Sequence, residues 1–125
     1  MKINQYQDIS EVEKEAKKDY IDRHSPFLYC ESTAVKNEKF LVKVKVGNEY
    51  QHPDDFDHYI SYVQLWDRET MLAQATFNAG TFGSAPVQVE TDFYIVPTKS
   101  MKLTAAAYCT KHGLWQSEVA EVQLG

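Results

Sequence analysis

Between Phe40 and Val46 apolar side chains recur at every second position, with Phe40, Val42, Val44 and Val46 on one side and Leu41, Lys43 and Lys45 on the other. That period of two predicts a strand with one buried face, ended by Gly47-Asn48. Further strands are predicted at His58 to Trp66, Met71 to Phe77, Val87 to Val96, Met101 to Cys109 and Val119 to Leu124, all rich in β-branched or aromatic residues or alternating in character. Asp67-Arg68-Glu69-Thr70, Gly80, Gly83, Pro86 and Pro97 punctuate them as turns. Upstream, Ser10-Glu11-Val12-Glu13 has the form of a capping box and runs into Lys14, Glu15, Ala16, Lys17 and Lys18, which predicts a short helix with a solvated face. Asp22-Arg23-His24-Ser25-Pro26 reads as a polar loop, with Pro26 holding Ser25 extended.

Six or seven short strands with little helix predict an all-β fold, an antiparallel sandwich of immunoglobulin-like type behind a short helical or irregular N-terminal segment. The Cys, Trp, Cys order of antibody domains is missing, because Cys30 precedes the first strong strand. With no repeat, low-complexity tract or linker, residues 1–125 are expected to form one domain, 1–21 as an N-terminal extension and 22–125 as the sandwich with its loops.

Composition narrows the partners. A length of 125 residues suffices for a core without disulfides, and a net charge of -5 argues against nucleic acid or an anionic membrane as the main partner. Met1 to Ser10 is polar, without the apolar stretch of a signal peptide, and no run is long enough to cross a bilayer, so a cytoplasmic setting is expected. In a reducing compartment Cys30 reads as an ordinary small residue and Cys109 is free to bind a metal.

The chemistry lies in four histidines, His24, His52, His58 and His112. Each is expected in a loop or at a strand edge, and loops gathered at one end of a sandwich can converge on one site. His52 and His58 bracket a loop begun by Pro53. In Cys109-Thr110-Lys111-His112-Gly113-Leu114-Trp115 a thiol and an imidazole stand three residues apart at a strand-to-turn junction. Five nitrogen and sulfur donors exceed the closed tetrahedron of structural zinc, and iron suits them better. Four neutral imidazoles and one thiolate would leave Fe(II) with a charge of about +1 and a position open to a small anion.

The segments Asp22-Arg23-His24-Ser25-Pro26, His52-Pro53-Asp54-Asp55-Phe56-Asp57-His58-Tyr59-Ile60 and Cys109-Thr110-Lys111-His112-Gly113-Leu114-Trp115 resemble, in order and spacing, the three motifs of the superoxide reductases, the neelaredoxin and desulfoferrodoxin family. No Cys-x-x-Cys is present, so the chain resembles the one-iron neelaredoxin type rather than forms with a second, rubredoxin-like iron domain. The resemblance implies a mononuclear iron with His24, His52, His58 and His112 equatorial, His112 through Nδ1, and the Cys109 thiolate axial. It also implies one-electron reduction of superoxide to hydrogen peroxide without release of dioxygen, a donor such as rubredoxin, and a homo-oligomer, often a tetramer. Backbone amides of Lys111 and His112 are the expected donors to the sulfur.

The chain departs from the family before the first histidine, where Glu-Lys is replaced by Asp22-Arg23. In the family the glutamate closes on oxidised iron and the lysine attracts superoxide. Asp22 is one methylene shorter, whereas Arg23 keeps the charge, steers an anion and orders water but is a poor proton source. Lys17, Lys18 and Lys111 are further sources of positive potential. Trp115 and Tyr59 read as packing residues, and Pro53 as a residue that shapes its loop. Two other classes stay open, a metal-free immunoglobulin-like binding module and a superoxide dismutase, with a zinc site as a third alternative.

Overall fold

The strand read at Phe40 lies in the smaller of two facing sheets in a computed structural model that describes residues 3–125; Met1 and Lys2 of the polar N-terminal stretch lie outside the described residues. In chain order the elements are β1 (Asn4–Gln5), a 3-10 turn (Ile9–Glu11), α1 (Glu15–His24), β2 (Pro26–Tyr29), β3 (Thr33–Ala34), β4 (Phe40–Val46), β5 (Ile60–Asp67), β6 (Thr70–Thr76), β7 (Glu90–Ile95), β8 (Met101–Cys109), β9 (Gly113–Gln116) and β10 (Ala120–Leu124). The smaller sheet has the order β2-β4-β7. The larger is centred on β8, which pairs with β5 along one edge, with β10 near its start and with β9 near its end.

A single apolar core joins the two sheets. Val42, Val44 and Val46 of β4 and Phe93 of β7 meet Val63 and Leu65 of β5, Leu103, Ala105 and Ala107 of β8, and Val122 of β10. The all-β sandwich is therefore as expected. Among the described residues its ten strands exceed the expected seven or so because β1, β2, β3 and β9 are two to four residues long, too short to display a period. Pairing is antiparallel except at two places, where β1 lies parallel to β9 and β3 parallel to β10.

The helical segment differs from expectation. Ser10 and Glu13 form no capping box; Asp8 Oδ1 instead accepts from Ser10 N (3.0 Å) and Ser10 Oγ (2.8 Å) to cap the 3-10 turn. α1 starts at Glu15 without a side-chain cap and continues to His24, so Asp22, Arg23 and His24 form its last turn rather than a loop. Tertiary packing accounts for this, because Ile21 on α1 is buried with Val12 and Trp115 in a second small cluster. Ser25, before Pro26, is extended and ends the helix as its sequence implies. The boundary expected between residues 21 and 22 thus falls inside α1. No helix among the described residues is long and apolar enough to cross a membrane.

Candidate metal centre

Strand register places the thiol. Cys109 is the last residue of β8, paired with Ile60 on one side and Gly113 on the other, and it is fully buried. A register shift between Ile60 and Tyr62 puts an irregularity in β5 beside it, a common feature next to functional sites. Gly113 has φ +83°, a left-handed conformation that suits glycine, and this lets the turn carry His112 back over Cys109. The Trp115 indole, 4% exposed, then donates to the His112 carbonyl (3.2 Å) and stacks on the His24 ring with centroids 5.1 Å apart.

The other histidines arrive from outside the sheets. His24 ends α1, and its Nδ1–H donates to the Tyr20 carbonyl one turn earlier (2.6 Å). His52 donates in the same way from Nδ1 to the Pro53 carbonyl (2.7 Å), and its backbone exchanges two bonds with Val87 (2.8 and 2.9 Å). His58 sits in a tight turn whose amide and carbonyl pair with those of Asp55, just before β5 rather than within it. In both His24 and His52 the carbonyl fixes the tautomer that leaves Nε2 with a free lone pair.

The four imidazoles form a closed circuit. Successive ring centroids are 4.9 Å (His24 to His52), 4.7 Å (His52 to His58), 5.0 Å (His58 to His112) and 4.8 Å (His112 to His24), each pair steeply inclined. The Cys109 sulfur sits against this circuit, 3.2 Å from His52 Nε2 and 3.7 Å from His112 Nδ1. One donor atom from each of His24, His52, His58 and Cys109 lies within 4.8 Å of the others. His112 Nδ1 adjoins that group, 3.1 Å from His24 Nε2. His58 Nε2 is buried without a hydrogen-bond partner, as expected of an atom directed at a metal ion. Three nitrogens and a sulfur, with a fourth nitrogen beside them, suit a borderline transition metal such as iron, so these residues fit the implied group.

Electrostatics point the same way. Burial, with smaller contributions from neighbouring imidazoles, holds His24 down to about 3 and His52 down to about 4, so both rings are neutral near pH 7. His58 is lowered too, by burial first and then by the charges of His112 and Lys111. Burial pushes the Cys109 thiol up, while hydrogen bonds from the Lys111 and His112 amides favour the thiolate. A cation bound by these residues would supply the positive charge that the thiolate needs.

Asp22 and Arg23 take unequal places. Arg23 pairs with Asp19 through Nε (2.7 Å) and Nη2, and its charge is felt at His52 and His58. Asp22 is 1% exposed, and its Oδ2 accepts from the amides of Asn48, Glu49 and Tyr50 at 2.8 to 3.0 Å. Its Oδ2 thus faces the turn after β4, its Oδ1 is buried without a hydrogen-bond partner, and the carboxylate is not among the converging donor atoms. Burial raises the Asp22 carboxyl, against those amides, which favour its charged form. Lys111 and Lys17 are exposed, and Tyr59 and Pro53 are half-buried. Sequence reasoning missed Asp54 as a structural residue, because its partners lie 26 to 30 residues further along the chain.

The family model described as Desulfoferrodoxin matches residues 11–118. A superoxide reductase of Pyrococcus furiosus is 32% identical over 111 residues, covering 78% of this chain and 87% of that protein. A superoxide reductase of Thermococcus kodakarensis is 29% identical over 104 residues, covering 78% and 86%. Among solved structures, the superoxide reductase (neelaredoxin) from Ignicoccus hospitalis superposes with a TM-score of 0.74 at 26% identity, over 98% of this chain and 95% of that one.

Proposed function

The chain belongs to the desulfoferrodoxin family, and from that premise we propose that it is a superoxide reductase in which His24, His52, His58, His112 and Cys109 hold one iron ion. The observation that carries this reading is the closed circuit of four imidazoles with the Cys109 sulfur against it. When bound, iron supplies the one-electron chemistry by passing between its ferrous and ferric states. The balance is one superoxide, one electron and two protons in, and one hydrogen peroxide out.

The protein's own groups prepare that reaction. Carbonyls of Tyr20 and Pro53 orient two rings and keep their Nε2 lone pairs free. The amides of Lys111 and His112 hold negative charge on Cys109, which faces the core and is shielded from oxidants. Arg23 and Lys111 place positive charge near the imidazoles, and this local field draws an anion toward a chain whose net charge is -5. Arg23 orders water without giving up its own proton. Asp22, whose Oδ2 is held by three amides and whose carboxylate lies outside the converging donor group, is given no part as a ligand.

An electron donor of the rubredoxin class docks where His58 and His112 are half-buried, the more exposed edge of the circuit. The setting is reducing and cytoplasmic, which keeps Cys109 out of disulfides, and the chain works as a homo-oligomer. A metal-free binding module is disfavoured by the arrangement itself. Four imidazoles gathered around a buried thiol, one with an unpartnered Nε2, are costly to desolvate without a cation.

Metal analysis with the visible spectrum of the oxidised protein tests this assignment. Iron near one per chain is expected, with a thiolate charge-transfer band that Cys109→Ser removes. Zinc, or no metal, would contradict it.

A further inference from the structure

Two buried aspartates flank the site without entering it, and their surroundings match. Asp22 Oδ2 accepts the amides of Asn48 (3.0 Å), Glu49 (2.9 Å) and Tyr50 (2.8 Å). Asp54, 3% exposed, accepts Gly80 N on Oδ1 (3.2 Å), and Phe82 N (2.9 Å) and Ser84 N (3.1 Å) on Oδ2. Each carboxylate therefore gathers three backbone amides of a loop distant in sequence, in charge-assisted bonds of the stronger kind.

Their positions relative to the ligands are also matched. Asp22 lies two residues before His24, and the turn it grips leads directly to His52. Asp54 lies two residues after His52, and the loop it grips leads to Val87, whose backbone exchanges two hydrogen bonds with that of His52. Gly47 completes the first grip: at φ +85° it turns the chain so tightly that a Cβ there would collide with the Tyr50 carbonyl. Its amide is tied to the Ser25 carbonyl at the end of α1 (2.9 Å). Residues 48–54 are thus held before, at and after His52.

We infer that Asp22 and Asp54 are a pair of positioning residues that lock His52 to His24 and to the 80–87 loop, so that the loop-borne imidazole meets the Cys109 sulfur in a preset place. This gives Asp22 a different task from the ferric ligand that its position in the motif suggests. The inference rests on the metal centre proposed above, but not on the reaction performed there.

Titration of the apoprotein with Co2+ tests it, reading the dissociation constant and the thiolate charge-transfer and ligand-field bands, with thermal melting as the check on folding. Asp22→Ala and Asp54→Ala are each expected to weaken Co2+ binding by about 10- to 100-fold and to shift the ligand-field bands. Asp22→Asn and Asp54→Asn should recover part of the loss, because a carboxamide oxygen still accepts amide hydrogens. Of the gripped residues, Asn48, Glu49 and Ser84 are exposed and Tyr50, Gly80 and Phe82 half-buried, so water can satisfy the released amides and the variants should fold. If an alanine variant does not fold, its asparagine counterpart decides: weaker binding than wild type supports the inference, and unchanged binding overturns it. Unchanged Co2+ affinity in both alanine variants overturns it as well. So does an Asp22→Asn effect confined to the spectrum of ferric iron, which would make Asp22 a ligand of the oxidised state. Failure of the wild-type protein to bind Co2+ would instead strike the metal centre itself.

Discussion

The two halves of the metal centre are built on different principles. Cys109 and His112 belong to the sheet, where a strand register and one left-handed glycine place both donors. His24 and His52 come from a helix end and a loop, and what places them is a set of hydrogen bonds to carbonyls and buried carboxylates. The first half draws its rigidity from the core common to the whole fold and from the one turn that Gly113 shapes. The second depends on a few polar contacts that can be removed one at a time. A site assembled this way can lose metal affinity without losing its fold.

Breaking the sheet half should have the largest effect on stability. Leu103 is fully buried on β8, and Leu103→Ala is expected to lower the stability of the apoprotein by about 2–5 kcal/mol. Denaturant unfolding of apoprotein measures this; a loss comparable to that of an exposed substitution would mean that β8 is not the spine of the site. Gly113→Ala should cost less, about 1–3 kcal/mol for a left-handed conformation imposed on a side chain. There is open space around a Cβ at that position, so the loss comes from backbone strain and not from a clash. Metal affinity should fall with it, because the turn carries His112.

Acid separates the halves further. His24 and His52 titrate at about 3 and about 4 in the folded apoprotein, below the ordinary 6.5. As pH falls below 6.5 the unfolded chain takes up protons that the folded chain refuses. The stabilisation from neutral imidazoles is therefore complete above that value and is lost progressively as pH drops toward 4 and then 3. Apoprotein melting temperature should fall over this window, and less so in His52→Phe. An equal slope in that variant would remove His52 from the account. The smallest effect is expected for Arg23→Gln. Its pair with Asp19 is part-exposed and contributes no more than about 1 kcal/mol. The rate with superoxide should drop and lose part of its dependence on ionic strength, while the melting temperature barely moves.

The same contrast explains what could be read from the chain. β4 and β8 are legible because Val42, Val44 and Val46, or Leu103, Ala105 and Ala107, display their buried faces as an alternation. The donor residues are legible because histidine and cysteine at those spacings have few other reasons to converge. α1 is not, since its C-terminal turn is held by Ile21 packing under Trp115, a residue 94 positions away that no local pattern announces. Asp22 and Asp54 are opaque for the same reason. A carboxylate that gathers distant amides looks, in sequence, like any acidic residue in a polar segment, and at Asp22 the motif even suggests another role.

The most direct test of the central claim is the yield of hydrogen peroxide from a measured amount of superoxide, using iron-loaded protein and a one-electron donor in excess. Reduction predicts one peroxide for each superoxide consumed and no dioxygen. One peroxide for every two superoxides, with dioxygen released, would contradict it and make the protein a dismutase.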